Sequence, residues 1–186
     1  MAFTAKDVQT LRQMTGCGMM DCKKALTESN GDMDKAVEYL PEKGLSAAAK
    51  KADRVAAEGV VYAVADAAKK VGAIIEVNSE TDFVAKNADF NAFVAQCAQI
   101  IMEQNPADVD ALLACKTENG MTVGELLREK ILVIGENLKI RRFVREEGTL
   151  ATYIHAGGKI GVMVKSDVSD GIADKAEFVE CGHDVA

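Results

Sequence analysis

Residues 59–77, GVVYAVADAAKKVGAIIEV, decide the fold, because two β-rich runs flank a short polar connection. Valine, isoleucine and tyrosine favour strands, and the connection at 67–70 allows the chain to reverse. The stretch therefore predicts an antiparallel hairpin. A related pair of runs, GTLATY at 148–153 and GVMVKS at 161–166, begins 89 residues after its counterpart in each case (59 to 148, 72 to 161). This spacing predicts a strand–strand–helix unit that occurs twice.

Apolar residues at helical spacing predict helices on both sides of the second pair of runs. The expected helices are 87–104, 122–135 and one that begins near Ile172 and continues to the end. The expected strands after the first hairpin are 138–145, 150–155 and 159–165, with Gly157-Gly158 as a hairpin turn. The helix at 122–135 and the strand at 138–145 complete the first copy of the repeat. The second copy lacks this completion before residue 186, and we expect it to be incomplete and truncated.

The first 44 residues predict three short helices. Thr4 with Asp7 forms a capping pattern at the first, and Asp32 caps a third helix that is expected to end at Pro41. Residues 45–58 are alanine-rich and charged, which is typical of a helical linker.

These patterns place the chain in the α+β class: a three-helix bundle, a helical linker, and a core of antiparallel sheet plus helices with an internal repeat. The expected domains are 1–44 for the bundle, 45–58 for the linker, 59–146 for the first core subdomain and 147–186 for the start of the second.

Composition restricts the function further. The net charge is −7, from 22 basic and 29 acidic side chains, which disfavours direct binding of nucleic acid. Five cysteines at irregular spacing fit a reducing, cytoplasmic location. With two histidines and no CxxC motif, neither a metal site nor a structural zinc is expected. No apolar run is long enough to cross a membrane, and the first residues do not resemble a signal peptide.

Two short segments are candidate interaction sites, each with two open interpretations. Met19-Met20 follows a Gly-x-Gly turn and either packs in the bundle or forms an adaptable apolar surface for a partner. Cys22 is expected in the core. In Thr81-Asp82-Phe83-Val84, the aspartate is either a turn residue beside a core phenylalanine, or both side chains face a partner from a rigid loop.

The remaining candidates give no catalytic constellation. His155 has no nucleophile beside it, and Gly157-Gly158-Lys159 lacks the serine or threonine of a phosphate loop. The basic residues of 139–145 indicate a solvated strand edge or a local anion-binding stripe. We therefore expect a protein that is not an enzyme and has no cofactor, and whose role is interaction.

Four segments carry a resemblance to a known family. They are LRQMTGCGMMDCKKAL at 11–26, EVNSETDFVAKN at 76–87, GENLKIRR at 135–142 and YIH at 153–155. In this order they closely resemble the bacterial translation elongation factor Ts family, across essentially the whole chain.

The resemblance implies a guanine-nucleotide exchange factor that binds elongation factor Tu in its GDP-bound and nucleotide-free states. It also implies that the N-terminal bundle is ubiquitin-associated-like and that longer members continue beyond residue 186. The implied partner-binding residues are Arg12, Met19, Met20 and Cys22 against the partner's G domain, Thr81, Asp82, Phe83 and Val84 near its Mg²⁺ and phosphate site, and His155 against its C-terminal β domain. The alternative is a ubiquitin-associated-type interaction module without exchange activity. The oligomeric state stays open.

Overall fold

The computed structural model describes residues 3–169, 171–173 and 175–186, and these contain eight helices and five strands. In chain order the elements are α1 (Ala5–Thr15), α2 (Met19–Glu28), α3 (Met33–Lys51), β1 (Glu58–Asp66), β2 (Val71–Ser79), α4 (Asp82–Ala85), α5 (Ala88–Gln104), α6 (Val109–Ala114), α7 (Val123–Ile134), β3 (Lys139–Glu147), β4 (Thr149–His155), β5 (Ile160–Ser166) and α8 (Ala176–Val185). The expected class of mixed helices and antiparallel sheet is confirmed. No helix among these elements combines the length and apolar character that a membrane span requires.

The chain divides into two compact units. The first contains the N-terminal residues up to Val55 together with Gly124–Leu138, and the second contains Ala56–Val123 and Lys139–Ala186. This grouping places most of the helix predicted at 122–135 with the N-terminal residues. The division into a bundle, linker and two core subdomains stays a prediction.

The N-terminal unit folds around a small apolar core with well-defined helix ends. Thr4 and Asp7 form the predicted capping box of α1, and Asp32 caps α3 by accepting a hydrogen bond from the Lys35 amide. Such caps satisfy amide groups that the first helical turn leaves without partners. The core residues are Val8, Leu11, Cys17, Cys22, Ala25, Leu26, Ala36, Leu40 and Leu132.

Two expectations for this unit are wrong. The third helix does not end at Pro41 but continues to Lys51, so the first half of the predicted linker belongs to α3, whereas residues 52–57 are not helical. A proline inside a helix removes one backbone hydrogen bond and is usually destabilising. Here Leu40 and Gly44 are buried on either side of it. A Cβ atom at Gly44 would come within 3.3 Å of the Arg128 carbonyl oxygen, so α3 packs closely on α7 beyond the proline.

Side chains also hold the segment 124–138 in the first unit. Lys51 Nζ donates to the Ile131 carbonyl at 3.2 Å, and the buried Asn137 donates to the Arg54 carbonyl at 2.8 Å. Both contacts join residues more than 75 positions apart in sequence, which periodicity cannot predict.

The second unit contains both sheets. Strands β1, β2 and β3 form an antiparallel sheet in that order, and β4 and β5 form a separate antiparallel hairpin. All five predicted strands are confirmed to within two residues of their expected ends. Helix α5 covers the first sheet and contributes large buried side chains, including Phe90, Phe93 and Ile101. The last helix begins at Ala176, later than expected.

The β4–β5 hairpin packs against the β1–β2 hairpin with glycine at the closest approaches. A Cβ atom at Gly161 would come within 2.5 Å of Val61 Cγ1, and one at Gly72 within 2.8 Å of Leu150 Cδ1. These positions accept only glycine without a shift of the neighbouring side chains. The two hairpins therefore form a closely packed pair within this unit.

Candidate functional site

The first candidate surface is the turn that follows β2, where Phe83 is 81% exposed. A phenylalanine is among the residues most often buried, so such exposure is informative. Fully burying its side chain is worth about 1.5–3 kcal/mol. The fold forgoes most of this stabilisation, and a partner that covers the ring would recover it. Of the two interpretations of Phe83, the structure therefore excludes the core anchor.

The turn is held by polar contacts rather than by the phenyl ring. The Thr81 side chain accepts a hydrogen bond from the Val84 amide, and the Ser79 hydroxyl donates to the Thr81 carbonyl at 3.0 Å. On the other side, Asn91 Nδ2 donates to the Ala85 carbonyl at 2.9 Å, which ties the turn to α5. These bonds stabilise a four-residue helix that is too short to be stable alone.

Helical geometry explains why Phe83 faces outward. Ala85 is buried, and Phe83 precedes it by two residues, about 200° around a helix of 3.6 residues per turn. Val84 is half-buried between them. The sequence thus fixes one inward and one outward face on a single turn.

Asp82 sits beside Phe83 and forms an ion pair on its own turn. Its carboxylate lies 2.7 Å from Lys86 Nζ, and this hydrogen bond, with the charge of Lys86, lowers the pKa of Asp82. The charge of Lys159 lowers it further. Asp82 is therefore a partly exposed carboxylate that pairs with Lys86.

The second candidate surface lies at the start of α2 in the N-terminal unit. Met19 is 47% and Met20 74% exposed, so packing inside the bundle is excluded for both. Arg12 is also exposed, near the end of α1. Sequence reasoning left out Met14, which is 62% exposed. Met14 lies three residues after the buried Leu11, and this spacing predicts a place for it on the apolar face of α1.

Cys22 differs from the other residues implied for this surface. It is fully buried, as expected, and its thiol lies 3.7 Å from the Cys17 carbonyl oxygen. Burial raises the pKa of this thiol, so it is a poor nucleophile. Cys22 can support the position of Met19 and Met20 but does not itself face solvent.

His155 is exposed at the end of β4 in the second unit. Its Nδ1 atom lies 3.0 Å from the Tyr153 hydroxyl, and the Tyr153 ring packs edge-on against His183 of α8. His155 is thus held by a neighbour on its own strand, and no nucleophile contacts it among the described residues.

The basic strand β3 carries less free charge than its sequence indicates. A bulge in the β2–β3 pairing, opposite Glu76, makes Arg141 the extra residue. Arg141 and Arg142 consequently both reach the Glu76 carboxylate, at 3.6 and 2.7 Å. Arg145 pairs with Glu147. These ion pairs favour the interpretation of a solvated edge over that of an anion-binding stripe.

The fold and these surfaces define a class: a mixed helix-and-sheet protein that displays apolar side chains on short helices. Within the described residues, no three histidine, cysteine, aspartate or glutamate side chains are grouped to hold a metal ion. The chain belongs to the family described as Elongation factor TS, whose family model matches residues 80–186.

Individual relatives agree with this membership. The chain is 55% identical over 166 residues to "Elongation factor Ts" of Clostridium perfringens strain SM101, covering 88% of this chain and 55% of that protein. It is 52% identical over 171 residues to "Elongation factor Ts" of Trichlorobacter lovleyi, covering 89% and 55%. It is 49% identical over 186 residues to "Elongation factor Ts" of Clostridioides difficile, covering 99% and 60%. The chain thus spans a little over half the length of these relatives.

Proposed function

We propose that this chain acts in translation elongation as a guanine-nucleotide exchange factor that promotes release of GDP from elongation factor Tu. Membership of the family supports this role. The observation that carries it is Phe83, an exposed aromatic side chain on a turn held by side-chain hydrogen bonds, inside the segment that the family model matches.

The mechanism is thermodynamic linkage. A factor that binds the nucleotide-free partner more tightly than the GDP-bound partner must weaken GDP binding by the same factor. Phe83 supplies apolar volume that displaces packed elements near the Mg²⁺ and phosphate site. Asp82 supplies negative charge where Mg²⁺ coordination is disturbed. No covalent bond is made or broken, so the proposed role is not that of an enzyme.

The other predicted contacts have separate tasks in this proposal. Arg12, Met19 and Met20 bind the G domain of the partner, Thr81 and Val84 hold the turn that carries Phe83, and His155 touches the C-terminal β domain. The exposure of both methionines supports the first contact, since methionine adapts its shape to apolar partner surfaces.

Two finer features of the fold belong to the same proposal. The bundle of α1, α2 and α3 is proposed to be ubiquitin-associated-like. The two hairpins are proposed to be copies of one repeat, which is supported by two equivalent glycines: Gly59, the second residue of β1, and Gly148, which directly precedes β4. Gly59 and Gly148 have φ values of 129° and 132°, a conformation that L side chains rarely adopt.

Release of a fluorescent GDP analogue from elongation factor Tu, measured by stopped flow, tests the proposal. The chain should accelerate release strongly. Phe83→Ala should reduce kcat/KM about 10- to 150-fold, because the lost apolar contact is worth about 1.5–3 kcal/mol. Its melting temperature should stay near that of the unmodified chain, since the ring is already exposed.

Val179→Ala is the matched control, because Val179 is 59% exposed on α8 in the same unit. It should leave both release and stability unchanged. An unmodified chain that binds neither GDP-bound nor nucleotide-free elongation factor Tu would refute the proposed function.

The second candidate is an interaction module without exchange activity, favoured by the exposed Met19 and Met20. It predicts that Met19→Ala with Met20→Ala abolishes partner binding whereas Phe83→Ala changes nothing. Equal binding by all three forms would contradict both candidates.

A further inference from the structure

A second ion pair lies beside the Asp82 turn, and its residues come from elements that are distant in sequence. Lys159 of the β4–β5 turn pairs with Glu58, the first residue of β1. The charge of Lys159 acts on Asp82, and the charge of Glu58 acts on Lys86. Helix α4 contacts β1, so the two ion pairs lie on neighbouring elements.

The turn that carries Lys159 is also fastened by its backbone. The Val61 amide donates to the Gly158 carbonyl at 2.7 Å. A Cβ atom at Gly158 would lie 3.2 Å from Val60 Cβ, so the turn rests directly on β1. His155, which ends β4, is the first residue of this reversal of the chain.

The Glu58 end of the pair is equally well supported. Asn78 Nδ2 donates to the Glu58 carbonyl at 3.1 Å, and Asn78 is buried on the neighbouring strand β2. Four residues further along the chain, Asp82 begins the exposed turn. The path from Lys159 to Phe83 thus runs through side chains of fixed strands.

From this arrangement we infer that Glu58 and Lys159 are a positioning pair. The pair holds the β4–β5 turn, which begins at His155, and the α4 turn, which carries Phe83, as one rigid contact surface. The inference rests on the proposed function, because both turns are proposed to contact the same partner. Neither Glu58 nor Lys159 needs to touch that partner.

The physical reason is the weakness of the α4 turn itself. It has four residues, and Phe83 adds no packing that would fix its direction. Lys159 fixes the Glu58 end of β1, the strand that α4 contacts, and so gives the turn an anchored neighbour. Fixing the geometry before binding lowers the ordering entropy that association must otherwise overcome.

Lys159→Met and Lys159→Arg are the first test, assayed by release of the fluorescent GDP analogue from elongation factor Tu. Lys159→Met should lower kcat/KM about five-fold, the size expected for loss of an exposed ion pair. Lys159→Arg should retain nearly full activity, since it can still pair with Glu58. Unchanged activity in Lys159→Met would overturn the inference.

A double-mutant cycle with Glu58→Gln separates positioning from direct contact. If the two residues act only through each other, the double variant should lose no more activity than either single variant. A double variant whose loss is the product of the two single losses, about 25-fold, would overturn the inference. It would indicate that each residue acts independently.

Lys165→Met is the matched control for stability, because Lys165 forms an ion pair with Glu146 at the opposite end of the same hairpin. Its melting temperature should match that of Lys159→Met, while its exchange activity should be unchanged.

In Lys159→Met the Asp82 carboxyl group, followed by carbon-13 NMR, should titrate at higher pH. No change in this titration would contradict the inference even if activity fell. If the unmodified chain fails to accelerate GDP release from elongation factor Tu, the proposed function fails. The NMR measurement still tests whether Lys159 acts on Asp82.

Discussion

Alanine substitutions at Gly59 and Gly148 should separate backbone strain from steric overlap, because the two glycines share a conformation but not an environment. Their φ values are 129° and 132°. A Cβ atom at Gly148 would meet only the Lys165 side chain, 3.4 Å away and flexible. A Cβ atom at Gly59 would overlap the Val77 carbonyl oxygen and lie 2.6 Å from Asn78 Cα.

The expected magnitudes follow from these contacts. Holding a non-glycine residue at this φ should destabilise both variants by about 1–3 kcal/mol. Gly59→Ala must also displace the β2 backbone, which should disrupt about two strand hydrogen bonds at about 1 kcal/mol each. We therefore expect a loss of about 1–3 kcal/mol for Gly148→Ala and about 3–5 kcal/mol for Gly59→Ala.

Urea unfolding followed by far-ultraviolet circular dichroism measures both free energies of unfolding. The chain has no tryptophan, so circular dichroism is preferable to tryptophan fluorescence. Equal destabilisation, to within about 0.5 kcal/mol, would show that the overlap at Gly59 is relieved without loss of strand pairing. That result would refute the reasoning from backbone contact.

Two further predictions concern ionisation. Lys86 lowers the pKa of Asp82 from its ordinary 3.8, so ionised Asp82 stabilises the fold at neutral pH and this stabilisation disappears as the pH falls through the lowered pKa. Asp82→Asn should remove this pH-dependent part of the stability, measured as the urea midpoint between neutral and strongly acidic pH. Burial raises the pKa of Cys97 from 9.0 to about 12, so ionisation in the unfolded chain should reduce stability as the pH rises from 9.0. Cys97→Ala should therefore lose stability less steeply with pH, and parallel curves would contradict the burial argument.

Local patterns predict much of the secondary structure because the responsible forces are local. The capping box of Thr4 and Asp7, the cap at Asp32 and both hairpins depend on residues a few positions apart. On β2 the buried residues Val71, Ala73, Ile75 and Val77 also repeat at the period of a strand. All these elements are confirmed.

Tertiary contacts account for what the sequence did not determine. Pro41 normally ends a helix, but Gly44 packs on α7 and extends α3 beyond it. The spacing of apolar residues predicts the helix α7 but does not predict which of the two units buries its apolar side. The short helix α6, Val109–Ala114, was not predicted, since six residues contain too few turns to show a period.

The candidate site divides in the same way. The motif containing Asp82 and Phe83 was identified from sequence, but whether Phe83 is buried depends on which face of a single turn meets the sheet. The Glu58–Lys159 pair joins residues 101 positions apart, and nothing in either local sequence marks it. Only the packing of the two hairpins brings them together.

The N-terminal unit is assembled from two separated pieces of chain, with consequences for how it could be inherited or removed. A fragment that begins at Ala56 would still carry α7, but without the residues that cover Leu132. Its exposed apolar surface would promote aggregation. For the same reason, the first 55 residues transferred to another protein would lack the contribution of Leu132 and Val133 to their core. Transfer of the whole unit requires α7 as well, which lies in sequence between β2 and β3 of the sheet.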